Sequence, residues 1–129
     1  MQPVATAPRH HLALLVIAGG MVGSALRIGV VELIPANAFP WATLAVNLTG
    51  SLFVGWALPG LQARSRGQRR VAFVGIGVAA AYTTFATFVG DAVLLVEAER
   101  WSAAAGYAVL SVVGGAAGTV LGYLLGRRP

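Results

Sequence analysis

The side chains of this chain that are equipped for chemistry are few, and most of them stand inside long apolar runs. Asn47 has Thr43 and Ser51 four residues to either side, which places all three on one face of a helix. An amide there either bonds a neighbouring helix or donates an N–H to an anion in a pore. The densest constellation is Tyr82-Thr83-Thr84-Phe85-Ala86-Thr87-Phe88, with Thr83 and Thr87 four apart and Phe85 and Phe88 three apart. Phenyl edges carry partial positive charge from the ring quadrupole. Two such edges and some hydroxyl donors replace part of a small anion's hydration without a full positive charge, and an ion held so is also released. Ordinary aromatic packing, with threonines bonded back to their own helix, accounts for the same residues. Arg27 lies in another apolar run, about 15 residues in, or roughly 22 Å of helical rise. It either snorkels to the interface or anchors charge at a vestibule. No nucleophile–base pair or metal-ligand cluster is visible, and the only histidines, His10 and His11, stand near the N-terminus. The chain has no cysteine, which excludes disulfides and thiolate metal sites. An enzyme is not expected.

Four apolar stretches carry these residues, at about 12–34, 41–61, 71–96 and 101–125. Each has roughly the 20 residues needed to cross about 30 Å of hydrocarbon. The 129 residues are 57% hydrophobic and 10% charged, against about 25% charged in soluble domains. Lipid is the natural solvent, and the expectation is one all-α transmembrane domain. Pro35 and Pro40 bracket the first turn, Pro59 and Gly60 are expected to close the second helix, and Trp41 and Trp101 sit where interfacial aromatics anchor. A cleaved signal peptide is disfavoured, because apolar character continues from Leu12 through Val31 and three more spans follow.

All nine basic residues are arginines. Arg9, Arg64, Arg66, Arg69, Arg70, Arg127 and Arg128 fall in the tails and the second loop, whereas Arg100 alone falls in the third. The net charge of +5 is therefore a topology signal rather than a nucleic-acid surface, and it places both termini in the cytoplasm. Glycines form stripes: Gly114, Gly118, Gly122 and Gly126 recur every four residues, and so do Gly19 and Gly23. Such stripes let helix backbones approach closely in lipid.

Taken together, Gly19-Gly20-Met21-Val22-Gly23-Ser24-Ala25-Leu26-Arg27, Thr43 through Gly55, and Thr83-Thr84-Phe85-Ala86-Thr87-Phe88 followed by Asp91 resemble three ordered signatures of the Fluc (CrcB) family of fluoride channels. The resemblance spans nearly the whole chain. It implies an antiparallel (inverted) dimer in a bacterial plasma membrane, with fluoride pathways at the subunit interface. It implies that Asn47 donates to fluoride, that Phe85 and Phe88 present ring edges, and that Thr87, Tyr107 and Ser111 line the path. It also implies a third helix broken near its middle, just before the threonines, where backbone carbonyls of Ala80 and Thr83 hold a structural sodium ion at the dimer centre. In this chain Val78-Ala79-Ala80-Ala81-Tyr82 stands where the family has glycines, and Ala86 where it has serine. Alanine favours an unbroken helix by about 1 kcal/mol over glycine.

The mechanism implied is passive efflux, driven by the membrane potential at about 2.3 kcal/mol per charge per 100 mV. Because the arginine bias favours one orientation, the expected partner is a paralogue of opposite topology. Two rivals stand beside this reading. A small four-helix multidrug exporter needs a membrane-embedded carboxylate, and Glu32 lies near the end of its span with no acid at the centre of any. A purely structural membrane subunit leaves Asn47 and the Thr/Phe cluster without a purpose.

Overall fold

A computed structural model describes residues 8–62 and 67–127 of the chain. Arg64, Arg66 and Arg128 of the topology signal lie outside them. The described residues form helices and turns with no strand, and four segments are long and apolar enough to cross a membrane. Helix α1 is Arg9–Leu33 and begins a turn before the apolar run does. Helix α2 is Trp41–Gln62. Pro59 does not end it: the ring removes one N–H, which leaves the Gly55 carbonyl without its usual partner, and the helix continues one turn beyond.

The third segment is in two halves. Its first half, α3a, runs through Gly67–Arg70, Val71–Ala79 and Ala80–Tyr82, with the middle stretch wound as a π-helix. The second half, α3b, is Phe85–Glu97. Thr83 (φ −74°, ψ 155°) and Thr84 (φ −144°, ψ 115°) between them are extended. The alanines thus stay helical, as their propensity favours, and the break falls at the threonines rather than before them. Helix α4 is Trp101–Gly126.

Helices pack chiefly as two parallel pairs, α1 with α3a and α2 with α4. The glycine stripes are the reason. A Cβ on Gly19 would collide with the Phe73 carbonyl, and one on Gly23 with that of Val78. Gly122 and Gly126 meet the carbonyls of Leu52 and Trp56 in the same way, and Gly55 meets that of Thr119. Backbones this close gain dispersion contact that no side chain would permit. The α1 helix makes no packing contact with α3b, so the break carries the second half of the third segment away from it.

At the end of the bundle formed by the first and third turns, Leu44, Leu95, Ala104 and Tyr107 form a buried cluster with Phe39 and Phe88 packed on it. There the Arg100 guanidinium donates to the Ala38 carbonyl, tying the two turns together. Of the described arginines, Arg9, Arg69, Arg70 and Arg127 occupy the opposite end, the starts of α1 and α3a and the finish of α4.

Candidate functional site

The break at Thr83–Thr84 organises the polar side chains. Asn47 on α2 clamps it in a bidentate manner: its Oδ1 accepts from the Thr84 N–H at 2.9 Å, and its Nδ2 donates to the Thr84 carbonyl at 3.1 Å. That first bond takes the N–H which an unbroken helix would give to the Ala80 carbonyl. Thr84 then caps α3b, its Oγ1 accepting from the Thr87 N–H at 3.2 Å and donating to the Thr87 hydroxyl at 2.9 Å. Gly50 makes room on α2, since a Cβ there would collide with the Thr83 methyl.

Two complementary ends meet at this point. The carbonyls of Ala80, Ala81, Tyr82 and Thr83 receive no N–H from any described residue, and the N–H groups of Phe85, Ala86 and Phe88 have no described backbone acceptor. Partial negative charge therefore gathers at the finish of α3a and partial positive charge at the start of α3b.

Beside the break lies a cleft of about 370 Å³ lined by Asn47, Ser51, Thr83, Thr84, Phe85, Phe88, Ser111 and Thr119 among others. The Asn47 amide has a second N–H left over from its clamp, because a primary amide carries two. The Ser111 hydroxyl is buried and has no hydrogen-bond partner among the described residues. Thr119 is committed to its own helix, donating to the Gly115 carbonyl at 3.0 Å. Phe85 and Phe88 have ring centroids 5.9 Å apart at 41°. Phe85 is 78% exposed, an outward-facing ring near the middle of the third span, Gly67–Glu97.

Of the residues expected at the site, Asn47, Thr83, Phe85, Phe88 and Ser111 share this cleft. The others stand apart. Tyr107 is fully buried behind Phe88, with ring centroids 5.3 Å apart, and its hydroxyl donates to Asp91 at 3.3 Å. It backs the cleft instead of lining it, because its ring completes the core at that end. Thr87 faces outward and is tied to Thr84. Thr83 and Thr87 do not form an i, i+4 pair, since the break separates them. Arg27 is half-buried on α1, with no hydrogen bond to a described residue, just beyond the point where Gly23 meets the Tyr82 backbone. Ala80 and Thr83 present carbonyls at the break. Sequence reasoning gave no role to Thr84 or Ser51. The face shared by Asn47 and Ser51 was the available signal for the latter.

Fold and cleft define a multi-pass membrane protein with hydrogen-bond donors held spare inside the bilayer, the arrangement of a small pore-forming subunit. The chain belongs to the CrcB-like family: the family profile described as "CrcB-like protein, Camphor Resistance (CrcB)" matches residues 14–123. It is 39% identical over 113 residues to a protein of Halobacterium salinarum named fluoride-specific ion channel FluC 1, covering 88% of this chain and 92% of that one. A Novosphingobium aromaticivorans protein named fluoride-specific ion channel FluC is 40% identical over 115 residues, covering 84% and 90%. A Lactiplantibacillus plantarum protein named fluoride-specific ion channel FluC 1 is 39% identical over 111 residues, covering 84% and 92%.

Proposed function

We propose that this chain is a subunit of a fluoride-specific channel that lowers cytoplasmic fluoride by passive efflux. The observation that carries the reading is the cleft beside the helix break, lined by Asn47 with its spare N–H, by Ser111 with its buried, unpartnered hydroxyl, and by the rings of Phe85 and Phe88. Buried donors left unpaired cost stability, about 1–3 kcal/mol each. They are worth that cost where an anion must exchange its water for them. The positive end of α3b adds favourable potential without a formal charge. Neutral donors of this kind stabilise a small anion and still release it, which is what conduction requires. The family is one of channels, not enzymes. A multidrug exporter is not favoured, since Glu32 is exposed at the end of α1 and Asp91 is engaged by Tyr107.

The functional unit is an antiparallel dimer. Phe85, Thr87 and Thr49 are exposed on the single chain at the level of the break, and polar backbone at that depth is tolerated only when covered by protein. The α1 surface beyond Arg27, left bare by α3b, is covered by the same partner. Both termini are cytoplasmic, a reading supported by the described arginines at one end of the bundle, and the favoured partner is a paralogue of opposite topology.

The unpartnered carbonyls of Ala80 and Thr83 suit a structural sodium ion, because neutral backbone oxygens at an unwound helix end are the donor set such an ion takes. Sodium held by these oxygens would supply a fixed positive charge at the finish of α3a, where the carbonyl ends gather partial negative charge. Asn47, by withholding the Thr84 N–H from Ala80, keeps one of those oxygens available.

Fluoride efflux from loaded liposomes, monitored with a fluoride electrode, tests the function. Fluoride release with chloride retained is the expected result. Retention of fluoride both by the chain alone and by the chain assembled with its paralogue would sink the reading.

A further inference from the structure

The break is held from α2 at a second place that the cleft does not use. Thr49 stands two residues after Asn47, and Tyr82 two residues before Thr84. The Thr49 hydroxyl lies 2.8 Å from the Tyr82 hydroxyl. The direction of that bond follows from counting protons. A threonine hydroxyl has one, and Thr49 Oγ1 makes its shortest bond, 2.7 Å, by donating to the Ala45 carbonyl of its own helix. Tyr82 is therefore the donor to Thr49, and its remaining lone pairs are acceptors only.

The surroundings explain why such a tie matters. Tyr82 is the last helical residue of α3a. Its backbone is pressed by Gly23 on one side, and its ring would meet a Cβ on Gly50 at 3.0 Å on the other. The Thr83 hydroxyl is already turned back onto the Ala79 carbonyl at 3.1 Å. Downstream, Asn47 fixes Thr84, so the direction of the carbonyls between depends on what fixes Tyr82. The only side-chain hydrogen bond that Tyr82 makes to a described residue is the one to Thr49.

We infer that Tyr82 and Thr49 form a positioning latch for the carbonyls of Ala80 to Thr83, and that the latch sets the sodium affinity of this array. The inference rests on the sodium reading given above. Asn47 holds the far side of the break and the Tyr82–Thr49 pair the near side, so the oxygens are aimed by two anchors on one rigid helix. A free tyrosine would let the frayed end of α3a rotate its carbonyls back toward local partners.

The full chain in detergent, assembled with its paralogue where it needs one, is melted across a sodium titration with potassium held in excess. The variants are Tyr82→Phe, Thr49→Val, Thr49→Ser and the Tyr82→Phe/Thr49→Val double. Sodium is expected to raise the melting temperature of the wild type. Its half-effect concentration should rise about three- to tenfold in each single variant lacking the bond, the range one hydrogen bond spans. Thr49→Ser should match the wild type, and the double variant should be no worse than either single. Faster amide exchange at Thr83 in Tyr82→Phe gives a second readout that needs no sodium. An unchanged sodium midpoint in folded Tyr82→Phe, with a responsive wild type, overturns the latch and leaves the sodium reading standing. A wild type indifferent to sodium overturns both.

Discussion

Asn47 does two things with one side chain. Its carbonyl and one N–H hold Thr84, and its other N–H is left for the cleft. Asn47→Asp keeps the acceptor for the Thr84 N–H but loses both donors and puts a negative charge where an anion must pass. Fluoride efflux from liposomes should fall roughly 10- to 100-fold, the scale of one charge-assisted hydrogen bond. Ser111 separates function from packing more cleanly. Its buried hydroxyl bonds to nothing among the described residues, so Ser111→Ala removes an unsatisfied group and should leave thermal stability equal or up to about 1 kcal/mol higher. Efflux should nevertheless drop several-fold. A variant that is stabilised and conducts normally would assign that hydroxyl no part in the pathway.

At the scale of elements, much was legible in the sequence. Hydropathy located the four spans, and the glycine stripes predicted close packing before any partner was known. The packing test is direct. A Cβ at Gly122 meets the Leu52 backbone, which cannot yield, whereas Gly106 faces open space. Gly122→Ala should destabilise by about 1–3 kcal/mol through overpacking, and Gly106→Ala should be neutral or stabilising by up to about 1 kcal/mol. Reversible unfolding in mixed micelles compares the two. The place of the break was less legible, because its cause is not local. Alanines at positions 79–81 favour helix and remain helical. The competing force comes from Asn47, 37 residues away in sequence, which offers the Thr84 backbone a better-matched pair of bonds. The π-helical winding of Val71–Ala79 was not read from the sequence. Tyr107, expected on the path, sits in one buried cluster with Leu44 and Leu95 behind the cleft. Spacing along one chain does not tell a residue that lines a cleft from one that backs it.

For the whole molecule the question is which way the chain inserts. Antiparallel assembly from a single sequence requires that sequence to enter the membrane in both orientations. Seven arginines in the tails and second loop against Arg100 in the third oppose this, since the excess of positive charge stays in the cytoplasm. A reporter fused to the C-terminus should report one orientation only, and the chain expressed alone should then give little protection to a fluoride-sensitive bacterium. Relaxing the signal should change that outcome without touching the cleft. Replacing Arg64, Arg66, Arg69 and Arg70 by glutamine leaves the bias at three arginines against one. Such a variant should distribute between orientations, form the antiparallel pair by itself and restore resistance. Resistance from the unaltered chain alone would show that it already inserts both ways, and the requirement for a paralogue would fall. If the balanced variant inserts both ways and still confers no resistance alone, orientation is not what limits it. The deficiency would then lie elsewhere, and Ala86 with the alanines before the break, where the resemblance implies serine and glycines, would be the first positions to restore.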